Sequence, residues 1–302
     1  MKNILLILLF ITSYSLADCA YAQRVEVDYY KHKHLIAQSG YRIGGKEFIK
    51  SMETASFLHR EGRIVEEILS GNVPDSLKFF KKIVFVTSIV DSVEVLKNEH
   101  IVEIHVLPDY LSIGTNNDFI RIPMGPLSAQ IIADSLFCTL PTAYLVDKIA
   151  IASEGRIEPF PFRPIKDRNI QPAVFEESNN AINALYRANG YHFGQLISGL
   201  KKDVILTYKI MDPNRRNHVT IYGWHYPDGG HIQPSNNIHV NFYVDYSHGI
   251  RLISRYVKID GKEYDIKSVL EEPNMYRLLS DEPFPMKSAT YAGDIVHEGL
   301  SY

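Results

Sequence analysis

The chain has 302 residues, a formal net charge of -3, and 45% hydrophobic and 22% charged side chains. That balance belongs to an ordinary globular protein, and it leaves no cationic excess to displace phosphate counterions, which excludes electrostatic nucleic-acid binding. Beyond the N-terminus no stretch approaches the roughly 20 apolar residues that a membrane-crossing helix requires.

The N-terminus has the three parts of a secretory signal peptide: Lys2, an apolar run over Ile4–Ile11, and the small-x-small site Ala20-Tyr21-Ala22. The expectation is cleavage before Gln23 and export to the periplasm or beyond. Asp18 stands before Cys19, where lipoprotein processing wants a small neutral residue, so no lipid anchor is expected. After residues 1–22, the chain divides into an N-terminal α+β portion over 23–125 and a helix-plus-sheet portion over 126–302, able to share one core.

Apolar spacing predicts helices over Lys46–Phe57 and Arg60–Leu69, ended by Gly71-Asn72, with Pro74 opening a further short turn. β-Branched runs then predict strands at Ile83–Ile89, Ile101–Leu107 and Phe119–Ile122. Helices follow at Leu127–Leu136 and Pro141–Ala152, flanking Phe137-Cys138-Thr139. Pro159–Pro164 reads as a stiff extended connector, because each proline disfavours helix at the residue before it. A helix is predicted over Ala173–Ala188 and stops at Asn189-Gly190. From Lys202 the chain is β-rich, with strands at Val204–Ile210, Val219–Trp224, Val240–Val244 and Ile250–Ile259. Helices followed by strands, without strict alternation, indicate an α+β fold with an antiparallel sheet.

Cysteine count directs attention to one residue. Of two cysteines, Cys19 leaves with the signal segment and Cys138 remains alone, either a small buried hydrophobe or a reactive thiol. A helix starting at Pro141 would set its positive dipole end and unpaired N–H groups beside the thiol, favouring the nucleophilic thiolate. The same N–H groups could hold an oxyanion.

Five histidines fall between His218 and His248. Within Asp245-Tyr246-Ser247-His248-Gly249, His248 is the first choice for a base that takes the thiol proton. Asp245 is a poor partner for it on a strand, since residues three apart face opposite ways. Asp203 from a neighbouring strand is the better one.

The runs Lys202-Asp203-Val204-Ile205-Leu206, His218-Val219-Thr220-Ile221-Tyr222-Gly223 and Asp228-Gly229-Gly230-His231-Ile232 resemble the core of the NlpC-type cell-wall cysteine peptidases. The family's Asp-Cys-Ser-Gly nucleophile signature is replaced here by Phe137-Cys138-Thr139-Leu140. The resemblance implies a papain-like fold, amide hydrolysis in peptidoglycan peptides, His218 as base, and His231 or Gln233 as the orienting group. Tyr222, Trp224 and Tyr246 would then meet the substrate, and no cofactor is called for.

Two alternatives accompany it. Trp224-His225 is similar to the Trp-His pair of zinc D-Ala-D-Ala carboxypeptidases, which would make His225, His231 and His239 zinc ligands around an open water position. An exported binding module would use its tyrosines and Trp224 to grip a glycan or peptide while the histidines pack.

Overall fold

The computed structural model describes residues 30–31, 42–90, 97–165, 167–215 and 217–293. The expected signal segment, with Cys19 and Gln23, lies outside them. The fold is mixed α+β, with six α-helices and predominantly antiparallel sheets among the described residues.

The first two helices, α1 (Gly45–Met52) and α2 (Phe57–Leu69), form where the apolar spacing places them. Phe48, Ile49 and Met52 of α1 are buried, as are Ile64 and Ile68 of α2. Ser56 caps α2 by accepting a hydrogen bond from the His59 N–H at 3.3 Å, and Gly71, at φ +84°, turns the chain away after its end.

A short strand β1 (Tyr30–Lys31) lies at the edge of the long antiparallel pair β2 (Phe79–Val90) and β3 (Lys97–Val106). Register pairs Ile83 with Ile104 and Phe85 with Val102, and these four side chains are buried. Period two accounts for the opposite face, where Val84, Val86 and Ile101 are exposed. The next residues make a hairpin from β4 (Ser112–Gly114) and β5 (Phe119–Arg121), then α3 (Pro126–Ser135), β6 (Cys138–Thr139) and α4 (Ala143–Ala152). Strand β7 (Gly155–Arg156), helix α5 (Pro172–Ala188) and strand β8 (Ile197–Ser198) follow, and β7 pairs with β8 in parallel. Pro159–Pro164 has no regular structure, as its prolines require. Helix α5 begins on Pro172 and is left through Gly190 at φ +69°.

The last third supplies β9 (Lys202–Val204), β10 (Ile221–His225), β11 (His231–Asn236) and β12 (His248–Gly249) to one four-stranded sheet in the order β11-β10-β9-β12. Strands β9, β10 and β11 are antiparallel neighbours, and β12 joins β9 in parallel. It also returns β13 (Ile253–Ser254), β14 (Tyr256–Ile259) and β15 (Lys262–Asp265) to the larger sheet, ahead of the short helix α6 (Ile266–Glu271). There β13 lies between β3 and β6, and β14 lies between β3 and β15. One apolar cluster joins residues from both halves of the chain, among them Phe48, Ile104, Cys138, Leu252 and Ile266.

Three expectations are corrected. Pro141 does not open a helix: α4 starts at Ala143, capped by Thr142, whose hydroxyl accepts from the Leu145 N–H at 3.2 Å. Val240–Val244 is no strand. Val240 makes an isolated bridge to His218, and the chain turns through the Tyr243 N–H to Val240 carbonyl bond of 3.0 Å. Ile205–Ile210 leaves the sheet after Val204 and ends in a 3-10 turn over Tyr208–Met211.

Candidate active site

Helix α4 reads Ala-Tyr-Leu-Val-Asp-Lys-Ile-Ala-Ile-Ala, and Asp147 is its one acidic side chain. Its carboxylate accepts from His225 Nε2 at 2.8 Å and from the Tyr222 hydroxyl at 2.9 Å. The His231 ring lies 5.7 Å from that of His225, and its Nδ1 stands 3.5 Å from the Tyr222 hydroxyl. These side chains line an open cavity of about 350 Å3 together with Arg156 and Ser198.

The backbone that sets His225 is strained. Gly223 has φ +94° and Trp224 has φ +60°, a conformation rare for a bulky side chain. The Trp224 indole is fixed by donating to the Gly199 carbonyl at 2.9 Å. A Cβ at Gly223 would stand 3.2 Å from Val146 Cγ1 and 3.3 Å from the His225 ring. Strain of this kind persists only where surrounding packing imposes it, and it gathers at functional sites. Burial and the Asp147 carboxylate push the Tyr222 hydroxyl well above its usual range, so Tyr222 stays protonated and donates. The result is an imidazole held on one nitrogen by a carboxylate at the wall of an open cavity, an arrangement suited to proton transfer.

The sheet brings several other expected residues into adjacent rows. Register sets Gln233 opposite Gly223, Gly223 opposite Lys202, and Lys202 opposite His248; Tyr222 stands opposite Asp203, and Asp203 opposite Gly249. Asp203 is buried, with Oδ2 accepting from the Tyr110 hydroxyl at 2.9 Å and Oδ1 without a partner. Burial pushes its carboxyl up to about 6. His248 is 1% exposed and both its ring nitrogens are unpartnered. Burial pulls it down to about 4, against the opposing pull of Asp245. Asp245 and His248 bracket the turn that leads into β12, which corrects the strand-based reason against this pair, yet the carboxylate stands 4.0 Å from Nε2, beyond hydrogen-bond reach. Burial also lowers Lys201 to about 7, and its ammonium donates to the Tyr246 carbonyl.

Other expected residues take structural places. Cys138 lies on β6 with no exposure, its thiol directed at the Leu136 carbonyl 3.3 Å away. It is not at a helix N-terminus, and burial pushes the thiol up, opposite to the lowering that a thiolate nucleophile requires. His218 stands 3.4 Å from Arg215 through Nε2 and lies beside Val240. The Gln233 amide donates to the Pro234 carbonyl. His239 stacks on Tyr243 with ring centroids 4.6 Å apart, and is not among the residues lining the cavity that holds His225 and His231. Trp224 and Tyr246 are buried and neither lines the cavity of Asp147 and His225; Tyr246 stacks on Phe162 at 4.6 Å. Of the three aromatics expected to meet substrate, Tyr222 lines the cavity.

Asp147 is the member of this hydrogen-bonded cluster that the sequence reading missed. A single carboxylate on an otherwise apolar helix was the available signal. Among the described residues no three His, Cys, Asp or Glu side chains are grouped so as to hold a metal ion. No described helix is long and apolar enough to cross a membrane. No family model, curated protein or solved structure matches the chain.

Proposed function

We propose that the protein is an exported hydrolase that cleaves amide bonds by acid–base catalysis in the cavity of Asp147 and His225, with cell-wall peptides as the substrate class. The observation that carries the reading is the 2.8 Å bond from His225 Nε2 to Asp147 at the wall of that cavity. Asp147 fixes the tautomer of His225, which leaves Nδ1 to take a proton from an attacking water. Arg156 lines the same cavity, its guanidinium donating to the Pro227 carbonyl at 2.9 Å, and in this reading its charge balances the oxyanion that develops on the substrate carbonyl. Water is the nucleophile of this reading, because burial keeps the Cys138 thiol protonated. The cysteine-peptidase reading suggested by the NlpC-type resemblance would require Cys138 to leave the core. The experiment is turnover of isolated peptidoglycan stem peptides by wild type, His225→Ala and Cys138→Ala. The proposal expects loss in the first variant and retention in the second; the reverse result removes it.

A second reading is a zinc-dependent amidase. What favours it is the pair of imidazoles, His225 and His231, with ring centroids 5.7 Å apart; no third His, Cys, Asp or Glu is grouped with them for metal ligation among the described residues, so water or substrate would have to complete the ion's shell. Metal analysis of protein purified without chelator, with turnover before and after chelation, separates the two.

A further inference from the structure

Two cavities that the Asp147–His225 reading leaves unused adjoin each other, with Asn116, Phe119 and Phe193 in both linings, and are considered together as one groove. Their volumes are about 340 and 510 Å3, within the range of small-ligand sites. The first is lined by the side-chain amides of Asn117, Asn180 and Asn183, while the Asn116 amide is taken up by Asp75, accepting from its N–H at 2.7 Å and donating to its carboxylate at 2.8 Å. Asn183 lends its Oδ1 to Arg121 at 2.8 Å, which leaves its amide nitrogen as a donor, and Asn117 and Asn180 are exposed. The second offers aromatic surface. Phe193 is 45% exposed and Phe79 is 36% exposed. Phe193 is not a loose surface ring: it meets the edge of Phe119 at 4.8 Å, tilts against Tyr186 at 5.5 Å, and lies 6.0 Å from the buried Arg121 guanidinium.

Charge around the groove nearly cancels, with Lys46 and Arg187 set against Asp75, Asp118 and Glu176. A ligand recognised here is therefore uncharged, with an apolar face for the rings and many hydroxyls for the amides. We propose that this groove binds a neutral oligosaccharide. The C–H face of a pyranose covers an exposed aromatic ring, and each hydroxyl both donates and accepts, matching the paired donors and acceptor of an amide. A peptide is the competing occupant, since Lys46 and Arg187 on the same lining could meet a terminal carboxylate, and the blocked peptide in the test below separates the two. The proposal stands independently of the hydrolase reading, because no residue of the groove lines the His225 cavity.

The test is calorimetric titration of the whole protein with three probes: triacetylchitotriose, cellotriose and maltotriose. Saturable binding of at least one is expected, weakened at least about fivefold in Phe193→Ala and in Asn180→Ala, and unchanged in His225→Ala. Asn180 is exposed, so its variant reports on the groove even if loss of Phe193 disturbs folding. The proposal is overturned if no trisaccharide binds at millimolar concentration, if Asn180→Ala binds as wild type does, or if the blocked peptide acetyl-Ala-Ala-Ala-amide binds in their place.

Discussion

Asp147 and His225 meet at 2.8 Å although 78 positions separate them in the chain. The helix supplies the carboxylate and a strained strand end supplies the imidazole, so neither the pair nor its orientation exists without the packing of α4 on β10. A general base contributes roughly 10²–10⁴-fold to rate. Asp147→Asn keeps an acceptor for Tyr222 but loses the charge that stabilises imidazolium, so kcat should fall at least about tenfold with little change in Tm. Equal kcat in the variant would show that the carboxylate serves packing alone.

Gly223 tests the strain beside that pair. An alanine there meets Val146 Cγ1 at 3.2 Å and the His225 ring at 3.3 Å while holding φ near +94°. Strained backbone and crowding together should lower stability by about 1–3 kcal/mol and displace the imidazole, reducing kcat more than KM changes. Denaturant melts together with steady-state kinetics check this. A variant that loses stability but keeps full kcat would mean that the ring position is not what Gly223 protects.

Cys138 is predicted to be inert in the folded protein. With no exposure and its thiol pushed up by burial, it should resist iodoacetamide at pH 8.5 and label fully once unfolded. Cys138→Ser buries a hydroxyl in an apolar setting and should destabilise by about 1–3 kcal/mol. Rapid labelling of the native protein, followed by mass spectrometry, would contradict the placement.

Much of the fold is legible in the sequence, for identifiable reasons. Helix α5 carries a proline at its start and Asn189-Gly190 at its end, and β2 and β3 alternate apolar residues over a long pairing. Val240–Val244 misled because Val240, Phe242 and Val244 alternate like a strand, while their backbone closes a turn. Residue type alone marked His225, His231, Tyr222, Asp203 and His248, and the sheet register draws them close. Their grouping was illegible, since it depends on which strands pair. Asp147 was hidden inside a helix that reads as core. Cys138 misled through its solitude, a property that says nothing about depth.

The buried His248 gives the fold a pH signature. Its pKa drops from 6.5 to about 4, so the unfolded chain takes up a proton that the native state refuses. The stability tied to its neutral form is therefore complete above pH 6.5 and lost as pH falls toward 4, by on the order of 3 kcal/mol at most. Asp203 opposes this. Its pKa rises from 3.8 to about 6, so the native state binds a proton first and stability is regained as pH falls from about 6 to about 4. Lys201, lowered from 10.5 to about 7, completes its loss of stability before this window is entered from above. Wild-type Tm should thus change little between pH 6.5 and 4.5 on account of these groups, while single variants unmask each one. His248→Gln leaves Asp203 unopposed, and its Tm should rise relative to wild type as pH is lowered through the window. Asp203→Asn leaves His248 unopposed, and its Tm should fall relative to wild type over the same range. Parallel Tm–pH curves for the three proteins would show that neither group is held in the protonation state that its burial requires.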